Sequence, residues 1–152
     1  MLKYIFISKN LSDTRQLAAK IVKKLFPGSV VLLTGDLGAG KTAFVGGALN
    51  ELGYKENVVS PTFNILKCYF EVKPNVFHID AYRLEDQNID IGLEEFIEGN
   101  GICFIEWPKF IESILPQNVL TIEIKRLSDN ERNFIISSDS DLYRDVFSIL
   151  EA

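Results

Sequence analysis

The chain is predicted to fold as one α/β domain spanning residues 1–152, with a mostly parallel sheet flanked by helices. Short apolar, β-branched runs alternate with segments whose apolar residues recur at helical spacing, the pattern that sets parallel strands side by side under packed helices. One such run, Ser29 to Thr34, leads through a glycine-rich turn directly into a helix-compatible stretch, Lys41 to Leu52. Hydrophobic residues make up 47% of the chain and charged residues 24%, which suffices for a continuous core without disulfides or a structural metal.

Taken in order, Tyr4 to Ser8 has strand character. Leu17, Ala18, Ile21, Val22 and Leu25 then follow helical spacing behind the expected caps Ser12 or Asp13, and Pro27-Gly28 stops that helix. The strand at 29–34 and the helix from Lys41 come next, with Gly53 as the helix stop. Ile65 to Val72 and Val76 to Tyr82 are candidate strands, Gln87 to Glu98 a short helix, and Ile102 to Glu106 a fully buried strand. Pro108 to Leu115 reads as a short helix, Val119 to Lys125 and Asn133 to Ser137 as strands, and Asp139 to Leu150 as a closing amphipathic helix.

Composition narrows the class of function. The net charge of −5 argues against gripping nucleic acid along a row of phosphates, and Lys20, Lys23 and Lys24 read as the solvated side of a helix. No apolar run approaches the ~18 residues of a membrane span, and the N-terminus lacks a secretory pattern, so a cytoplasmic location is expected. Cys68 and Cys103 match no metal or redox spacing and read as buried free thiols. With a single histidine, a His-based zinc site lacks ligands.

Gly35-Asp36-Leu37-Gly38-Ala39-Gly40-Lys41-Thr42 fits the P-loop pattern of glycine, four residues, then Gly-Lys-Ser/Thr. Its glycines let the backbone curl so that N–H groups face one point, and the helix that begins there adds its positive end. Lys41 is placed to reach β- and γ-phosphates, and the Thr42 hydroxyl to ligate Mg²⁺. The strand before and the helix after supply the context that confirms the motif. A nucleoside triphosphate with Mg²⁺ is therefore the expected ligand, and the absence of an Asn-Lys-x-Asp guanine motif favours ATP.

Such sites usually hold Mg²⁺ with an acid at the end of a neighbouring buried strand, and two acids qualify: Glu106 after Ile102–Ile105 and Asp80 after Val76–Ile79. Local residues do not choose between them. Ser60-Pro61-Thr62-Phe63 is either an ordinary turn or a segment that brings a hydroxyl to the γ-phosphate. Trp107 is a core anchor or an aromatic beside the nucleotide, His78 reads as a packed core residue, and Glu94 and Glu95 as solvated helix carboxylates.

Together GDLGAGKT at 35–42, SPTF at 60–63, HIDAYR at 78–83, GLEEF at 92–96 and EWP at 106–108 resemble the TsaE family, over about Asn10 to Arg126 and in that family's order. The resemblance implies a Rossmann-like P-loop domain that binds ATP and Mg²⁺ and hydrolyses ATP slowly alone. It implies partners, TsaB and TsaD, and through them tRNA, whose adenosine 37 receives a threonylcarbamoyl group by TsaD chemistry. By the same resemblance Lys41 is the phosphate lysine, Thr42 the metal hydroxyl and Glu106 the Mg²⁺-associated carboxylate. Thr62 belongs to the switch-like element, Asp80 is an acid needed for activity, and Trp107 lies beside the nucleotide. Ala43 stands where many relatives have a second threonine.

Two rival readings remain. A small-molecule kinase also fits GDLGAGKT, but the arginines at 15, 83, 126, 132 and 144 are scattered and make no arginine-rich lid. The other is a nucleotide-gated interaction module with incidental turnover.

Overall fold

A computed structural model describes residues 1–36, 38–61, 63–85 and 92–152. The chain runs β1 (Leu2–Ser8), α1 (Leu11–Val22), β2 (Val30–Thr34), α2 (Lys41–Glu51), β3 (Leu66–Tyr69), β4 (Val76–Asp80), α3 (Glu94–Ile97), β5 (Ile102–Glu106), β6 (Leu120–Arg126), β7 (Arg132–Ser138) and α4 (Arg144–Glu151). Short 3-10 segments cover Tyr82–Leu84, Pro108–Ile114 and Asp141–Tyr143.

The seven strands of the described residues join one sheet in the order β1-β7-β6-β2-β5-β4-β3. The expectation of a mostly parallel sheet is corrected: β6, β2, β5 and β4 run parallel, but β1–β7, β7–β6 and β3–β4 are antiparallel. The reason lies in the connections. Residues 70–75 and 127–131 are too few to carry a crossover, which needs a dozen or more residues, so both links close hairpins.

Alternation along the central strands divides the core into two layers. Val31, Leu33, Phe104, Ile122 and Ile136 pack with Leu17, Ile21, Phe44, Leu49 and Phe147 of α1, α2 and α4. On the opposite face Val30, Ile79, Cys103 and Ile105 meet Leu93, Ile97 and Ile111. All five residues of β4 and of β5 are buried, as expected for strands covered on both faces.

Local details differ from the sequence reading. α1 is capped by Asn10, not Ser12 or Asp13: Asn10 Oδ1 accepts from the Asp13 N–H at 2.8 Å, while Asp13 Oδ2 accepts from the Lys9 N–H at 2.9 Å. Asn10 has extended backbone, which is what a cap requires and lets the helix start earlier. The closing helix is shorter than expected, because the backbone takes a 3-10 turn at 141–143 before α4. Within the expected helix Gln87–Glu98, residues 94–97 form α3 and residues 87–91 lie outside the described residues. Glu94 and Glu95 are exposed, in keeping with solvated carboxylates.

Candidate nucleotide site

β2 ends at Thr34 in the middle of the sheet, so the glycine-rich turn emerges at the carboxyl ends of parallel strands. Gly35 has φ +146°, and a Cβ there would lie 2.5 Å from the Ile124 carbonyl oxygen of the adjacent strand β6. Only glycine fits. Gly40, at φ +113°, starts α2 without any side-chain cap, so the first-turn N–H groups are not claimed by a capping residue. Leu37 lies outside the described residues.

Lys41 is only 5% exposed. Its ammonium donates to the Gly35 carbonyl and, at 3.5 Å, to that of Asp36, and sits 4.2 Å above the centre of the Trp107 ring. Burial lowers its pKa from the usual lysine value, and the charges of Glu106, Asp80 and Asp36 oppose that shift. The lysine thus lies within the field of both candidate acids, as a phosphate-binding cation with carboxylates behind it would.

Parallel pairing of β4 with β5 sets Asp80 opposite Glu106. Asp80 Oδ2 accepts from the Ser60 hydroxyl at 2.8 Å, and Oδ1 from the Tyr82 N–H at 3.0 Å. Ser60 is therefore tied to the site, whereas Thr62 lies outside the described residues. Glu106 is 3% exposed, and its Oε2 lies 2.6 Å from His78 Nε2. Thr42 follows Lys41 on the first turn of α2. Among the described residues no group of three or more His, Cys, Asp or Glu could hold a metal alone. The hydroxyl of Thr42 and the carboxylate of Glu106 are hard oxygen donors, and they suit Mg²⁺, which takes one or two protein oxygens and leaves the rest to phosphate and water.

Trp107 meets both the core and the loop lysine. Its backbone is left-handed, at φ 57° and ψ 51°, a conformation that costs a non-glycine residue on the order of 1 kcal/mol. The half-buried indole packs against the second core layer and Tyr82, with ring centres 5.1 Å apart, while its face meets Lys41.

Arg132 was not singled out by any motif, yet it reaches the loop. Its Nε donates to the Ala39 carbonyl at 3.0 Å and Nη2 to that of Gly38 at 3.3 Å, while Nη1 holds the Ser128 carbonyl at 2.8 Å. Its position at the start of β7 follows from the β6–β7 hairpin, a long-range feature with no local spacing signal. Arg83, the arginine inside a recognised motif, instead lies 5.6 Å over the exposed Phe63 ring. A cavity of about 310 Å³ beside the loop is lined by Asn10, Thr14, Gly38, Gly40, Ala43 and Arg132. Another, of about 420 Å³, opens between Gly35, Asp36 and Trp107.

The sequence profile described as threonylcarbamoyl adenosine biosynthesis protein TsaE matches residues 8–134. A tRNA threonylcarbamoyladenosine biosynthesis protein TsaE of Bacillus subtilis is 42% identical, over 88% of this chain and 85% of its own length. That of Treponema pallidum is 38% identical, over 86% and 98%. The crystal structure of Bacillus subtilis YdiB superposes with a TM-score of 0.85 at 32% identity, covering 99% of this chain and 97% of that one. With a profile match over residues 8–134 and relatives that cover most of its length, the chain belongs to the TsaE family.

Proposed function

We propose that this protein binds ATP with Mg²⁺ and hydrolyses it in support of threonylcarbamoyladenosine formation at position 37 of tRNA, acting with TsaB and TsaD. The observation that carries the reading is the buried Lys41 ammonium at the P-loop, lying in the field of Asp80 and Glu106.

Lys41 leaves the Gly35 carbonyl for the β- and γ-phosphates, which accept more strongly because they are charged. Loop N–H groups and the start of α2 take the remaining phosphate oxygens. Ribose and base are placed in the cavity beside Ala43 and Arg132, since it borders both the loop glycines and the first turn of α2. Thr42 and Glu106 would hold Mg²⁺, which when bound would offset the charge that develops in phosphoryl transfer. Asp80, held by the Ser60 hydroxyl and the Tyr82 N–H at the strand end beside Glu106, is assigned the role of orienting the attacking water.

Two arginines near the loop are engaged elsewhere: Arg132 donates to backbone carbonyls and Arg83 lies on Phe63. An arginine against the γ-phosphate contributes ~10³ to 10⁵ in rate, so slow turnover alone and acceleration by partners are expected. Phosphate release measured alone and with saturating TsaB and TsaD tests this. Fast release that the partners do not change refutes it, and transfer of the phosphoryl group to a metabolite would establish the kinase instead.

A further inference from the structure

We propose that His78 is a positioning residue which holds Glu106 away from Lys41 and presents it to the cation; the inference rests on the ATP–Mg²⁺ reading of the site. His78 is fully buried on β4, and its Nε2 lies 2.6 Å from Oε2 of the nearly buried Glu106 on β5. Parallel register sets His78 opposite Phe104, so its ring reaches one step along the same face to Glu106. A carboxylate only accepts hydrogen bonds, so Nε2 carries the proton and donates.

Two features distinguish this contact from ordinary core packing. Among the described residues, His78 Nδ1 has no hydrogen-bond partner. Burying an unpaired polar nitrogen costs free energy that an apolar side chain of similar size would not. His78 is therefore poorly explained by stability alone, and its one made bond goes to Glu106. The second feature is what Glu106 does not do. It is the largest favourable charge acting on Lys41, yet it bonds His78, while Lys41 bonds the Gly35 carbonyl. Without His78, the torsion that turns the carboxylate is broad and shallow, and a buried acid beside a buried ammonium relaxes into an ion pair. Such a pair would remove the phosphate-binding cation and the metal-binding oxygen together. Anchoring Oε2 on His78 leaves Oε1 for Mg²⁺ and Lys41 for phosphate.

The test compares ATP affinity by calorimetry with Mg²⁺ and with chelator. For His78→Leu, the gain in affinity on adding Mg²⁺ is expected to fall about 10- to 100-fold below that of the wild type, the range seen when a ligand's supporting partner is lost. His78→Gln, which keeps an N–H donor, is expected to recover part of the gain. A folded His78→Leu with the wild-type gain overturns the proposal. Because His78 is the sole histidine of the chain, imidazole ¹⁵N NMR of the wild type gives a second reading that needs no variant. The Nε2–H tautomer is expected, and an Nδ1–H tautomer overturns the proposal. A wild type with no Mg²⁺-dependent gain would instead refute the ATP–Mg²⁺ reading, and the NMR result keeps the two failures apart.

Discussion

Replacing Arg132 by alanine removes the side chain that ties the top of the P-loop to the β6–β7 hairpin. Its contact with the Ala39 carbonyl at 3.0 Å is charge-assisted and part-buried, and its contact with Gly38 at 3.3 Å is exposed. We assign about 1.5 kcal/mol to the first and about 0.5 kcal/mol to the second, the lower figure reflecting solvent competition and length. The loop conformation thus loses about 2 kcal/mol of support, and if ATP must supply that ordering itself, affinity falls by about 30-fold. Arg132→Lys keeps the charge but not the fork that spans several carbonyls, and should recover only a small part. Calorimetry with ATP and Mg²⁺ reads the effect, with the melting temperature as a control for global stability. An Arg132→Ala protein that binds ATP within twofold of the wild type refutes the assignment of Arg132 as a loop brace.

Three further outcomes are expected. Lys41→Ala keeps the fold but weakens ATP binding by about 100-fold, the loss of roughly 3 kcal/mol of charged hydrogen bonding to phosphate, as calorimetry on a demonstrably folded variant will show. Glu106→Gln weakens Mg²⁺-dependent binding, whereas Asp80→Asn retains the nucleotide and slows turnover; separate titrations of ATP and Mg²⁺ showing the reverse pattern exchange the two roles. Cys103 is fully buried with its thiol pKa pushed up by burial, and Cys68 is shifted the same way but only half-buried. A thiol reagent should therefore modify Cys68 slowly and Cys103 only on unfolding, and rapid native labelling of both would contradict the burial.

Contiguous residues made much of the site legible. Gly35 to Thr42 specify their own backbone, because a loop that needs left-handed glycines and a helix start writes both into consecutive positions. Glu106 and Asp80 were visible as acids ending buried apolar runs, and the sheet places them side by side. Pairing was less legible: strand direction at β3 and β7 depends on short links, which a strand–helix rhythm does not weigh. His78 and Arg132 show the deeper limit. The first acquires its partner only when β4 pairs with β5, and the second reaches Ala39 across 93 positions of sequence. Asn10 capping was missed because Ser12 and Asp13 are equally good caps by type, and backbone conformation decides among them. Trp107 was undecided since its left-handed backbone, which turns the ring to both the core and Lys41, leaves no trace in local propensity.

The proposed function is that ATP hydrolysis at this loop sustains threonylcarbamoyl transfer to tRNA. Its most direct measurement is the number of threonylcarbamoyladenosines formed per TsaD in a reconstituted reaction with TsaB, tRNA, a threonylcarbamoyl donor and either the wild-type chain or Asp80→Asn. Many rounds are expected with the wild type and arrest after about one round with Asp80→Asn, which still binds ATP. Equal multiple turnover with the two proteins, or with this chain left out, would contradict it.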